Sequence, residues 1–449
     1  MVAGRRPLPG HGRLAAWFNG ERVGCWHVQP GEHRFTYDEA WRASPSARPL
    51  SVSLPFTPGN VPHRGEIVSR FFEHLLPPPG RLRRTLQERF GTADMSAFEL
   101  LSAAGGDCMG ALQLLPPGET PGDEACQGVL PLDEQGLAEA LDEADGAPPL
   151  ASPEWPGALR VALAGSTPKT ALLLHEGRWC RPLGWMPTSH LFKLPIARPA
   201  RAGAAARYPV ENEWLCSRLL HALGLPVASA GIARCRGRMA LVSERLDRRR
   251  IVDEKGRAAR WLRLPMESLS QALGAPAPAL PEHQGGPGMR ESLRLLRAGS
   301  DPAGDARCFV QAQFALWLLA APGGDAGKFM VYIERGGSWR LAPLAGVRSA
   351  WPLASGRENL ARLHLLMAMS PSAHPPVFAM ERITAAHWLA LLADADLPAD
   401  LLAGVCMALP QALEQVRHEL PAGFPQQVWK SVRQGMQSQA RHFLASVQR

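Results

Sequence analysis

The chain has 449 residues, 46% hydrophobic and 20% charged, with a formal net charge of +8. This suffices for two or three packed domains and excludes a disordered or fibrous protein. Residues 1–12 are not followed by an apolar core of signal-peptide length, and the longest apolar run, 314–322, is too short to span a bilayer. No membrane contact and a cytoplasmic location are expected. The eight cysteines show no C-x-x-C pair and no nearby paired histidines, which argues against zinc and against a disulfide framework. Nearly all the positive charge is arginine, a bias that fits a GC-rich genome better than a nucleic-acid groove. Only five lysines exist, Lys169, Lys193, Lys255, Lys328 and Lys430, and three of them fall in the segments that carry chemistry below.

Along the chain, residues 13–113 alternate strand-like runs (14–18, 50–54, 110–115) with helical stretches (68–76, 81–90) bounded by Gly and Pro. This predicts a small α+β unit. Residues 116–156 turn acidic and rich in Pro and Gly, with one helical patch at 133–145, and read as a connection. A boundary near residue 150 follows, giving a first unit over 1–150. Residues 151–250 form a β-rich unit, with strands at 159–163, 170–175, 190–194 and 240–243 and a helix over 210–223 that ends at Gly224 and Pro226. Residues 251–449 are mainly helical, at 266–273, 289–297, 303–319, 385–393, 398–408 and 425–448. A β-rich lobe followed by a helical lobe is the plan of a protein kinase.

The β-rich lobe carries the corresponding chemistry. Ala164-Gly-Ser-Thr-Pro-Lys169 is a small-residue loop between strands, of the kind whose backbone N–H groups approach phosphates. Lys193 lies in a strand, His190-Leu-Phe-Lys-Leu-Pro, and Glu213 lies twenty residues on, in a helix. A lysine that touches phosphates and is held by a helix glutamate is what kinase chemistry requires. No Gly-x-Ser-x-Gly elbow suggests hydrolase chemistry.

Several segments, in order, resemble the HipA-type toxins, Ser/Thr kinases of bacterial type II toxin–antitoxin systems. They are Trp17-Phe-Asn-Gly-Glu-Arg-Val-Gly, Ala47-Arg-Pro-Leu-Ser-Val-Ser-Leu-Pro, Gly106-Asp-Cys-Met-Gly-Ala, Lys169-Thr-Ala-Leu-Leu, His190-Leu-Phe-Lys-Leu-Pro, Asn212-Glu and Ser243-Glu-Arg-Leu-Asp-Arg-Arg. Arg263-Leu-Pro and Gly285-Gly-Pro-Gly complete the series. The resemblance implies an α+β fold with a small N-terminal subdomain on a kinase-like body, and ATP between the lobes. It assigns Gly165, Ser166, Thr167 and Lys169 to the phosphate loop, Lys193 to the phosphates, Glu213 to its partner, and the Glu244-Arg245-Leu246 backbone to the adenine hinge. The loop departs from the family at Thr167 and Pro168, and the proline removes one N–H donor.

The helical lobe departs further. Where the family carries Asp-Gly-His-Ala-Lys-Asn, this chain reads Gly323-Gly-Asp-Ala-Gly-Lys328, and its flanks align without a gap. The resemblance therefore puts Gly323 at the catalytic base and Lys328 at the metal-binding asparagine. The second metal-binding aspartate, which follows Pro-Phe-Tyr in the family, falls on Gly346 in Pro343-Leu-Ala-Gly-Val, and the self-phosphorylated serine falls on Ala162. Glycine can neither bind metal nor orient a hydroxyl, and an ammonium at Lys328 repels Mg²⁺ while suiting phosphate oxygens. A pseudokinase is expected, with ATP as candidate cofactor and Mg²⁺ disfavoured. Its expected partners are a HipB-like helix-turn-helix antitoxin, a related HipA toxin, or a translation protein such as an aminoacyl-tRNA synthetase, with DNA reached only through the antitoxin. The alternative is an active kinase toxin whose rearranged site uses Asp325 and Lys328. A third reading, auxiliary DNA binding, draws on the net charge and predicts steep salt dependence.

Overall fold

The computed structural model describes residues 12–121, 127–146, 168–195, 208–252, 258–354 and 360–447. Helices and antiparallel sheets are both present, as an α+β chain requires. The first sheet uses β1 (Gly12–Phe18), β2 (Glu21–Gln29), β3 (Glu32–Tyr37), β4 (His63–Arg64) and β5 (Leu112–Leu115), in the order β4-β3-β2-β1-β5. Helices α1 (Glu39–Arg42), α2 (Glu66–Glu73), α3 (Arg81–Phe90) and α4 (Ala97–Ala104) accompany it. Alternation along β1 turns Leu14, Ala16 and Phe18 inward, a bulge in β2 buries Val23 as well as Trp26, and Trp26 stacks on Phe72 of α2 with ring centroids 3.8 Å apart.

One expectation fails here: residues 50–54 form a tight turn, not a strand. Leu54 N–H donates to Ser51 O at 3.1 Å, and the only ladder contact is an isolated Ser51–Leu54 bridge. The reason lies across the junction, where the buried Glu267 accepts from Ser51 Oγ and Val52 N–H at 2.7 Å each. Those polar groups are spent on the carboxylate.

The second sheet runs β10-β11-β9-β7-β8-β6. Its strands are β6 (Gln127–Pro131), β7 (Lys169–His175), β8 (Arg178–Gly184), β9 (His190–Lys193), β10 (Ala230–Cys235) and β11 (Arg238–Glu244). The hairpin from β7 to β8 turns on Glu176-Gly177, both at positive φ (49° and 76°), a mirror-image turn whose twist suits the strands. β6 and α5 (Glu134–Gly146) precede residue 150, yet β6 pairs with β8 and Leu141 of α5 packs into the core of this sheet. By strand pairing, the second unit includes residues from Gln127 onward. The expected strand at 159–163 lies outside the described residues.

Helix α6 (Pro209–Ala222) covers one face of the sheet. A ribbon, β12 (Arg248–Val252) with β13 (Ala258–Arg263), leads to the helical lobe. There, β14 (Met266–Ser268) runs into α7 (Leu269–Ala272), where one helix over 266–273 was expected. β14 is captured as a strand by β15 (Met330–Ile333), which also pairs with β16 (Trp339–Leu341). The helices α8 (Met289–Leu296), α9 (Pro302–Leu318), α10 (Trp351–Ala354), α11 (Ala385–Asp394), α12 (Leu401–Glu419) and α13 (Gln426–Val447) complete the lobe. The buried α9 is its axis, and Phe314 and Trp317 pack against Trp388 of α11. α12 continues past residue 408 and through Pro410, because burying Leu409, Leu413 and Val416 outweighs the lost N–H.

Candidate functional site

Three segments meet where the two lobes face each other. Lys169 opens β7 and pairs in register with Lys193 at the end of β9, so both side chains leave the same edge of the sheet. Lys193 Nζ donates to Glu213 Oε1 at 2.5 Å, and both side chains are largely shielded from solvent. This is the lysine–glutamate pair expected from the sequence, formed across twenty residues.

Glu213 is presented by the inner face of α6, whose next residue upstream locks the helix to the opposite lobe. Asn212 Nδ2 donates to Ser349 O at 2.8 Å, and Ser349 N–H returns a bond to Asn212 Oδ1 at 2.9 Å. The 344–350 segment is also fastened by Leu344 N–H to Pro226 O (2.9 Å), Ala228 N–H to Leu344 O (2.8 Å) and Trp351 Nε1 to Leu318 O (2.8 Å). Gly346 therefore sits beside the ion pair: a side-chain carbon built on it would lie 3.5 Å from Lys193 Nζ and 3.9 Å from Glu213 Oε1. Such contact is ordinary. Space does not forbid a carboxylate there, although φ of +73° would strain one.

The loop before β15 is equally fixed. Gln313 Nε2 donates to Gly324 O at 2.8 Å, Ser270 N–H to Ala326 O at 3.1 Å and Leu269 N–H to Phe329 O at 2.9 Å. Gly323 is exposed, nothing lies within 4 Å of a carbon built on it, and it does not have positive φ. Neither packing nor backbone conformation demands glycine. Asp325 is committed inside the loop, its Oδ1 accepting from Gly327 N–H at 2.8 Å. Among the described residues, no three His, Cys, Asp or Glu side chains gather as a metal site would need.

Cations gather in this cleft. Arg348, which sequence reasoning missed, brings Nε to 4.0 Å from Glu213 Oε2. Its only signal was a basic residue two positions after Gly346. Burial, then the charges of Lys193 and Lys328, lower the Lys169 ammonium to about 8, with Arg348 adding to the effect and Glu213 opposing it. Lys169, Lys193 and Lys328 are three of the chain's five lysines. The fold brings them together from three separate segments.

The hinge is held from the N-terminal subdomain. Glu244 N–H donates to Ser229 O (3.0 Å) and Arg245 N–H to Ser189 O (2.9 Å), so both are spent within the lobe. Leu246 O accepts from Tyr332 Oη at 2.8 Å, and among the described residues no partner takes the Leu246 N–H. The Arg245 side chain does not face a ligand: it is buried on Asp247 and Thr188 at 2.7 Å each. Asp247 also accepts from Gly110 N–H at 2.9 Å, while Arg248 reaches Asp107 at 2.9 Å and Arg263 joins Asp107 from β13. The arginines hold Asp247 down at about 2, against the opposing effect of burial. Sequence reading missed this network. Gly165, Ser166, Thr167 and Ala162 lie outside the described residues.

Residues 14–115 match the model of the HipA N-terminal domain and residues 161–415 that of the HipA-like C-terminal domain. Among curated relatives, "Putative kinase Y4mE" of Sinorhizobium fredii is 35% identical over 345 residues, spanning 74% of this chain and 76% of that protein. The serine/threonine-protein kinase toxin HipA of Shewanella oneidensis is 27% identical over 239 residues, or 53% of this chain and 49% of the toxin. The solved complex of HipA, HipB and operator DNA from the same organism contains a chain that superposes with TM-score 0.78 at 20% identity, covering 97% of this chain and 98% of that one. The chain belongs to the HipA family, and its fold is the HipA fold.

Proposed function

We propose that this HipA-family protein is a pseudokinase that acts by binding. The supporting observation is the cleft: the lysine–glutamate pair is formed at 2.5 Å, yet the positions for base and metal carry Gly323, Lys328 and Gly346. Phosphoryl transfer needs metal to neutralise charge on the β and γ oxygens and a carboxylate to orient the attacking hydroxyl. The residues present do not fit Mg²⁺. Asp325 is turned back into its own loop by the Gly327 N–H on Oδ1, which leaves Oδ2 alone to serve as a base.

The ligand of the cleft is ATP or a related nucleotide, with the base against the Leu246 backbone and the phosphates at the lysines. The partner that best suits the reading is a HipB-like helix-turn-helix antitoxin, the kind of protein bound to HipA in the Shewanella complex. DNA is then reached through that antitoxin, and the site of action is the cytoplasm. A related HipA toxin or a translation protein such as an aminoacyl-tRNA synthetase is the next candidate. No described helix is long and apolar enough to cross a membrane.

Controlled expression, followed by growth and by co-purification of a tagged HipB-like protein, tests this. Stable association with growth unaffected by Asp325→Ala supports the reading. Growth arrest that disappears in Asp325→Ala supports an active kinase toxin with a rearranged site.

A further inference from the structure

Four cationic side chains meet in the cleft: Lys193 and Arg348 approach the Glu213 carboxylate, and Lys169, in register with Lys193, feels the charge of Lys328. Like charges collected in a half-buried cleft oppose one another, and an anion of high charge density relieves that opposition. In a phosphoryl-transferring kinase, such relief is shared with divalent cations held by acidic and amide ligands. Here the asparagine position is an ammonium, the aspartate position is Gly346, and the next basic group along that segment, Arg348, turns back toward Glu213 at 4.0 Å.

We propose that the cleft is a polyphosphate site built for the metal-free anion, in which Lys328 and Arg348 stand in for the divalent cation, so that Mg²⁺ weakens binding. The inference rests on the pseudokinase reading and adds its ligand selectivity. A chelated Mg²⁺ cancels charge that the lysines would otherwise pair with, and places a second positive charge beside the Lys328 ammonium. Arg348 offers a planar fork suited to phosphate oxygens, and Lys328 is an exposed point charge able to follow the chain of phosphates. The recognised chemistry is a run of linked phosphates, from a nucleoside triphosphate or an inorganic polyphosphate.

Calorimetry on the full chain, with ATP, inorganic tripolyphosphate and adenosine, each in EDTA and in excess Mg²⁺, reads this directly. The expected result is binding of ATP and tripolyphosphate that is about tenfold tighter in EDTA, and little binding of adenosine. Lys328→Asn, which restores an amide ligand at an exposed position, lowers the EDTA affinity about tenfold and removes the penalty from Mg²⁺; Arg348→Met loses affinity under both conditions. Thermal melts confirm that each variant is folded. Equal or tighter binding with Mg²⁺ in the unmodified protein overturns the inference, as does binding of adenosine alone or of none of the three. Transfer of the γ-phosphate with the EDTA preference intact would instead overturn the pseudokinase reading and leave the selectivity standing.

Discussion

The two walls of the cleft have had different fates. On the β-rich side, Lys193 of the strand and Glu213 of the helix form the pair expected from the sequence, 2.5 Å apart. On the helical side, the backbone is held as firmly, through Gln313 to Gly324 and Asn212 to Ser349. On the pseudokinase reading, the positions for base and metal ligands on this side hold Gly323, Lys328 and Gly346. These buried hydrogen bonds involve none of the three side chains, so on that reading the frame persists without the chemistry.

The sharpest test of that separation restores the missing groups. Because Gly323 has open space and Gly346 admits a side chain for about 1 kcal/mol of backbone strain, the triple variant Gly323→Asp, Lys328→Asn, Gly346→Asp should fold. It is expected to raise Mg²⁺-dependent turnover of ATP from background to at least about a hundredfold above it. A folded triple variant with no gain would show that the frame, too, has drifted.

Next in size is the junction that holds the hinge. Asp107 is fully buried between Arg248 and Arg263, so Asp107→Ala leaves Arg248 with Asp247 alone as counter-charge and Arg263 with only the Trp185 carbonyl among the described residues, and is expected to cost about 3–5 kcal/mol in denaturant unfolding. A small loss would mean that water reaches the network. Lys193→Met removes a charge-assisted contact worth about 1.5–3 kcal/mol and should weaken polyphosphate binding about tenfold or more, with a lowered melting temperature because the shielded Glu213 loses its partner.

The smallest expected effect is on pH. Lys169 titrates at about 8 in the folded protein, and a bound anion favours its charged form. Binding should therefore be tightest below pH 8 and fall severalfold as the pH rises through it. Lys169→Met should flatten that profile; an unchanged profile would assign the titration elsewhere.

The sequence made one class of feature legible and hid another. The Lys193–Glu213 pair was readable because each residue sits in a short segment with recognisable flanks. Residues 266–273 were misread because strand pairing with β15 decides their fate across a long separation, which local periodicity does not record. Residues 50–54 were misread for the same reason, their polar groups being taken by Glu267. The Asp107, Asp247, Arg248 and Arg263 network, and Arg348 in the cleft, depend on side chains from distant segments meeting in three dimensions. In an arginine-rich chain, nothing local sets those arginines apart.

The central claim is that the frame survives without the reaction. It is tested most directly by following the γ-phosphate of labelled ATP under single-turnover conditions, with excess protein and Mg²⁺ and a protein substrate mixture present. The account predicts that all label remains on ATP over hours. Transfer of label to this chain or to another protein would contradict it.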